Sequence, residues 1–263
     1  MHKPVPTLVL LHGLSSNATR WWNFMARTRL AGWKILRPTL RGGAGTSERG
    51  RIGMRVWSDD IARLLDAERV ERAVIAGHCL GANLALNFAT FYPARASGLA
   101  LIEPMPPQAL AGGMLRLARW RFLLPPIEWG ARILNALGIY RRRIPQIDLE
   151  QWDKAVAAGT LDLERYASPF SDLHLQPLVA YMQGLQAMVA PLPELSAIRC
   201  PVLALVSRRS HMTDPVRTLE ILRALPALDV VELDTEHWIP TEQPEAMCRA
   251  IEEWIAARGL SSS

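Results

Sequence analysis

The stretch AVIAGHCLG at residues 73–81 decides how this chain is read. Four apolar residues run into a glycine, as a buried parallel strand does. An apolar helical stretch follows at once and continues through Tyr92. Between them, Gly77-His78-Cys79-Leu80-Gly81 must turn strand into helix within a few residues. Glycines on both sides let the backbone pass close to itself, and the central residue is forced into a strained conformation. Its side chain then projects above the sheet, at a helix N-terminus. This is the G-x-S-x-G turn with Cys79 in the serine place. A helix N-terminus and a nearby imidazolium favour the thiolate, which is the attacking form of cysteine. The plainer alternative is a buried structural cysteine on a catalytically silent scaffold.

Working outward, short apolar runs alternate with helical patterns. TLVLL at 7–11, WKILR at 33–37 and LALI at 99–102 read as strands, like the run at 73–76. Residues 21–30 read as a helix, and so do 56–67, with Val56, Ile61, Leu64 and Leu65 at helical spacing. The alternation resumes with PVLALV at 201–206, VVEL at 230–233 and a closing helix over 244–257. The expected class is α/β, a mostly parallel doubly wound sheet with helices on both faces. Residues 104–197 break the rhythm. They hold prolines, tryptophans and amphipathic pieces such as 113–123 and 129–137, without a convincing strand. The expected organisation is a core of 1–103 and 198–263, with 104–197 as a helical cap over the carboxyl edge of the sheet, where ligands bind in such folds.

The 263 residues are about half apolar and about a fifth charged, enough for a sizeable core. The formal charge is +5, but the basic residues are spread widely and carry no RNA- or DNA-binding signature. Three cysteines without regular spacing argue against a disulfide framework or a zinc site and suit a reducing, cytoplasmic location. No apolar run reaches the ~20 residues needed to span a bilayer.

His237 lies in the segment 233–240, after the last strand and before the last helix. From a loop there, it would hang over the same sheet edge as Cys79 and could take the thiol proton. The other histidines rank lower: His78 inside the turn is a candidate pocket residue, His12 reads as a loop organiser, His174 and His211 fall in loops, and His2 is terminal.

LLHGLSS at 10–16, PTLRGGAGTS at 38–47, the segment 57–81 and EHWIPTEQPE at 236–245 together resemble the α/β-hydrolase family across nearly the whole chain outside the cap. The resemblance implies a nucleophile–histidine–acid triad and an oxyanion hole of two backbone amides, here those of Leu14 and Leu80. Cysteine at the nucleophile is also seen in the dienelactone hydrolase and polyhydroxyalkanoate synthase branches and in some biosynthetic thioesterases; the rest of this chain does not match the first two closely. The family's usual acid follows the strand at 201–206, yet Ser210 stands in its place. Two carboxylates are candidates. Glu103 ends the strand LALI in the pattern LALIEPMPP, resembling haloalkane dehalogenases, which carry their acid at this strand end. Asp214 lies four residues beyond Ser210. A triad without an acid is the third possibility.

The cap supplies Leu115, Trp120, Phe122, Trp129, Met182 and Met188 as candidates for an apolar pocket, or simply for packing of the cap on the core. Trp120, His78 and Trp238 are the expected pocket residues. Arg116, Arg119, Arg121, Arg141, Arg142 and Arg143 form a basic concentration. It would attract a coenzyme A conjugate or an acidic acyl carrier, or be a solvated face. The expected activity is cysteine-dependent hydrolysis of an ester or thioester with a hydrophobic acyl part, through an acyl-cysteine and without metal or organic cofactor. An acyltransferase or cyclase using the same intermediate, and a non-catalytic small-molecule binder, are the rivals.

Overall fold

In the computed structural model, residues 5–46, 50–137, 147–160 and 175–262 are described. Six strands form one all-parallel sheet in the order β2-β1-β3-β4-β5-β6. They are β1 (Thr7–Leu11), β2 (Lys34–Leu36), β3 (Ala73–His78), β4 (Ala96–Ile102), β5 (Val202–Ser207) and β6 (Leu228–Leu233). This is the parallel α/β sheet expected from the alternating pattern. β1, β3, β4 and β5 are buried along their whole length, as a sheet covered on both faces requires.

Alternate strand residues feed two apolar layers, because successive Cβ atoms point to opposite faces. Val9, Leu11, Ile75, Leu99 and Leu101 pack on one face with helices α2 (Met54–Ala67) and α3 (Leu80–Phe91). Leu8, Leu10, Val74, Ala76, Ala100 and Ile102 pack on the other. That second layer is closed by Phe24 from α1 (Trp22–Arg27) and by the last helix, Pro244–Ala257. The helix expected over 21–30 is shorter. A 3-10 turn, Ala18–Trp21, capped by the Asn17 side chain, precedes α1, which ends at Arg27.

Between β4 and β5 the described residues are helical. They comprise α4 (Gly112–Arg119), a 3-10 turn (Arg121–Leu123), α5 (Leu124–Ala136), α6 (Leu149–Ala157) and α7 (Leu178–Met188). The piece expected over 113–123 is thus split at Trp120, and that expected over 129–137 begins earlier, where Pro125 and Pro126 occupy the first turn of α5. Prolines are tolerated there because first-turn amides have no intrahelical partner. α7 lies close over the loop after β1: a Cβ on Gly184 would fall 2.4 Å from Leu14 Cδ1. After β5 come α8 (Pro215–Leu222), α9 (Ile239–Glu242) and α10 (Pro244–Ala257). Among the described residues, no helix is long and apolar enough to cross a membrane.

Candidate active site

Cys79 sits at the turn from β3 into α3 with φ 56° and ψ −118°, a conformation that L residues adopt only under constraint. The constraint is visible on both sides. A Cβ on Gly77 would lie 2.1 Å from Gly81 O, and one on Gly81 would lie 2.3 Å from Leu11 O. Only glycine fits at either position, so the turn is held by contacts no other side chain allows. The Cys79 amide donates to Ile102 O at 2.9 Å, tying the turn to β4. Leu80 opens α3, so its amide is one of the first-turn donors without an intrahelical partner. Leu14 lines the same cavity as Cys79, and a Cβ on neighbouring Gly13 would lie 3.3 Å from Cys79 Cβ.

Glu103 follows β4 directly and also has positive φ, 49°. Its amide donates to Leu205 O at 2.9 Å, and its carboxylate accepts from the Ser207 amide and from His237 Nδ1, the latter at 3.2 Å. Glu103 and His237 are 2% and 0% exposed, so their charges meet with little solvent screening. The other two candidates for the acid behave differently. Asp214 caps α8 by accepting from the Arg217 amide at 3.0 Å, and Ser210 Oγ pairs with Thr213 Oγ1 at 3.1 Å. The structure therefore brings Glu103, not Asp214, to His237.

Burial alone would keep His237 neutral. The neighbouring Cys79 and Glu103 side chains oppose that and raise its pKa to about 10. Its Nε2 is buried with no hydrogen-bond partner among the described residues. His78 donates Nε2–H to His237 O at 3.1 Å, fixing the backbone of the loop that carries the imidazole. Burial and the His237 charge push the His78 pKa well down. His12 likewise organises a loop. Its Nδ1–H donates to Gly13 O at 2.8 Å and its Nε2 accepts from the Leu40 amide at 2.9 Å, with burial lowering its pKa to about 4. His211 is exposed, 3.8 Å from Glu236; His2, His174 and Arg141, Arg142 and Arg143 lie outside the described residues.

A cavity opens over Cys79 and His237. Met114, Leu149, Tyr181, Leu185 and Met188 supply much of its apolar wall. His78 and Trp238 line it as expected, but Trp120 does not: it is 59% exposed, stacked against Phe122 at 5.6 Å between ring centroids. Trp120 is the C-cap of α4, where the chain passes into the Arg121–Leu123 turn. Leu115, Phe122 and Trp129 are also exposed, and Met182 packs in the core instead of lining the cavity.

Several cavity features escaped the sequence reading. Met105 Sδ lies 3.1 Å from Cys79 Sγ, and Asn83 clamps the Met105 backbone through bonds of 2.8 and 3.0 Å. Arg20 reaches the cavity while paired with Asp153 of α6 at 2.7 Å, with its guanidinium carbon 5.6 Å from the centre of a Trp238 ring. Ser16 Oγ is buried without a partner among the described residues. Signals existed in the oxygen-rich SSNATR at 15–20, but separations above 130 residues hid the partners. Among the described residues, no group of three or more His, Cys, Asp or Glu side chains is placed to hold a metal ion.

A doubly wound sheet with a strained residue at the β3–α3 turn and a buried histidine–carboxylate pair over the same edge defines a hydrolase-type scaffold. The chain belongs to the alpha/beta hydrolase family, whose sequence profile it matches over residues 8–250. It is 25% identical over 269 residues to a 2-hydroxy-6-oxononadienedioate/2-hydroxy-6-oxononatrienedioate hydrolase of Burkholderia vietnamiensis, covering 94% of this chain and 86% of that one. A pimeloyl-[acyl-carrier protein] methyl ester esterase of Aromatoleum aromaticum is 34% identical over 101 residues, 38% of each chain. Uncharacterised proteins of Mycobacterium tuberculosis and Mycobacterium bovis are 26% identical over half of this chain, a match that spans only 37% of their own length. A thermophilic esterase of Thermogutta terrifontis superposes with a TM-score of 0.69 at 21% identity, covering 99% and 92% of the two chains. An enol-lactonase of Burkholderia xenovorans gives 0.69 at 20%, covering 96% and 92%.

Proposed function

We propose that this chain is a cysteine-dependent acyl hydrolase acting on an ester or thioester with a hydrophobic acyl part. The observation that carries the reading is the alignment of Cys79, His237 and Glu103 at one sheet edge, with the Glu103 carboxylate on His237 Nδ1 and the His237 Nε2 left unpartnered. In this reading the Cys79 thiolate attacks the acyl carbonyl. The amides of Leu14 and Leu80 hold the oxyanion. Charged His237 gives the Nε2 proton to the leaving alkoxide or thiolate as the tetrahedral adduct collapses to acyl-cysteine. Neutral His237 then takes a proton from water, the hydroxide displaces Cys79, and acid is released. Glu103 keeps the Nδ1–H oriented and offsets the imidazolium charge. Segment 104–197 acts as the cap, its Met114, Leu185 and Met188 receiving the acyl chain.

The esterase and hydrolase names among the relatives support the ester chemistry. Cysteine favours thioesters, because exchange between two thioesters is nearly balanced. Intact-mass spectrometry after brief exposure to acyl-coenzyme A and p-nitrophenyl esters tests the reading. One acyl mass should appear, and Cys79→Ala should remove it. Wild-type protein that neither gains the mass nor releases acid from any of them would end the proposal.

A further inference from the structure

α5 is turned the wrong way for a helix that covers a soluble protein. At about 100° per residue, Leu124, Glu128, Ala131 and Asn135 share one side, and this is the side that packs inward: Leu124 and Ala131 are buried. Glu128 is on that side too, bonded to Gln183 and Gln186 of α7 and to Arg132. The exposed positions of α5 and its C-cap include Pro126, Ile127, Trp129, Ile133, Leu134 and Leu137, all uncharged, while its one basic residue, Arg132, is half-buried and paired with Glu128. Ile127 is 48%, Trp129 67% and Leu137 66% exposed. The preceding turn continues this surface with Trp120 at 59% and Phe122 at 61%. Scattered apolar residues on a surface need no explanation, but a run this dense marks a contact face.

The charges beside it have one sign. Arg116, Arg119 and Arg121 flank the two aromatic rings, and none makes an ion pair among the described residues. Glu128 is the single acidic residue between 104 and 137, and it is occupied as above. Tryptophan and phenylalanine interleaved with arginine is the composition of an element that lies in the interface of an anionic bilayer, rings among the acyl chains and guanidiniums at the phosphates. A protein partner would be expected to meet more hydrogen-bonding groups than this face offers.

We infer that the outer face of α4, the Arg121–Leu123 turn and α5 docks on an anionic membrane surface. The inner side of the same element reaches the cavity, since Met114 of α4 lines it. Docking would thus hold the cap against the lipid layer from which a lipophilic acyl group could enter. The inference depends on the acyl-hydrolase reading only for that last step; docking itself does not require Cys79.

Flotation of the full chain with vesicles of phosphatidylcholine alone, and of phosphatidylcholine mixed with phosphatidylglycerol, tests it. The chain should float with the mixed vesicles, stay behind with neutral ones, and be released by salt. Arg116→Gln/Arg119→Gln/Arg121→Gln should partition about 100-fold more weakly. Trp120→Ser/Phe122→Ser/Trp129→Ser should lose flotation while keeping the far-UV circular dichroism of the wild type; Trp129→Ser alone, the gentler change, should weaken it. Cys79→Ala should float like wild type, which separates failure of docking from failure of the chemistry. Absence of wild-type flotation with mixed vesicles overturns the inference, as does equal flotation of the arginine and aromatic variants. So does a dimer, or a complex with an acidic acyl carrier protein, that the aromatic variant abolishes in the absence of any flotation.

Discussion

Along β3, every residue from Ala73 to His78 is buried, whereas in α5 only Leu124 and Ala131 are. The sheet places apolar residues where burial rewards them and admits polar ones only with partners: Glu103, His78 and His12 all make hydrogen bonds. α5 does the reverse, turning Glu128 inward and Trp129 outward. The sheet is folded for its own sake, and its strain is concentrated at Cys79 and Glu103, the two described strand-end residues that chemistry would use. The outer face of α5 is shaped for a surface that is not on the chain.

The sharpest way to break the sheet side of that contrast is Gly81→Ala. The new methyl would meet the Leu11 carbonyl oxygen at 2.3 Å. Backbone on both sides has no room to yield, because Leu11 is held in its ladder with Gly77. The variant should fail to fold, recovered only in inclusion bodies. Gly130→Ala in α5, where a Cβ meets nothing within 4 Å, should fold normally and gain a few tenths to about 1 kcal/mol in urea denaturation. Equal behaviour of the two would erase the distinction between the regions.

Much of this was legible from the sequence because the relevant physics is local. Buried parallel strands announce themselves as short apolar runs, and the two glycines around Cys79 encode the turn directly. Strand order also carried Cys79 and His237 to one edge, and left Glu103, Asp214 or no acid open beside them. What was not legible depends on distance or direction. Residues that helical spacing marks as apolar can point either way, so Trp120 was expected in the cavity and instead faces outward. Arg20 and Asp153 meet across 133 residues, with no sequence signal linking them. Nor does the sequence tell that Asp214 is committed to capping α8.

Arg20→Ala asks how firmly the two regions are joined. The pair it breaks is buried, with side chains 5% and 1% exposed, and it connects the start of the core to α6. Asp153 also accepts from Trp22 Nε1 at 3.0 Å. Burial holds the Asp153 pKa above its ordinary value even with Arg20 opposing the shift. Without Arg20, an uncompensated carboxylate remains, and unfolding free energy at neutral pH should drop by about 3–5 kcal/mol. A raised folded-state pKa means the folded form binds the proton more tightly, so the penalty should shrink as pH falls through the carboxylate range. Arg20→Met/Asp153→Leu should recover most of the loss. If the double variant is as unstable as the single one, the pair is not what joins α6 to the core.

Glu103→Gln bears most directly on the chemistry. Glutamine keeps the shape but removes the charge, and its single oxygen replaces two carboxylate oxygens that accept separately from the Ser207 amide and from His237 Nδ1–H, so one of the two bonds is lost. Burial, already the largest influence on His237, then faces less opposition, and its pKa should fall from about 10 towards the ordinary 6.5. Because the proton that His237 gives to the leaving group is lost earlier, the alkaline fall in kcat/KM should move to lower pH. At neutral pH the rate should drop on the order of 100-fold. Stability follows the same sign. A histidine whose folded pKa is raised contributes most below 6.5, and its contribution is lost as pH rises through about 10. The stability gap between wild type and Glu103→Gln should therefore narrow across that window. Asp214→Asn, at the N-cap of α8, should cost at most about 1 kcal/mol and leave the alkaline limb in place. A limb that moves with Asp214 and stays put with Glu103 would transfer the acid's role to a residue that now does nothing but cap a helix.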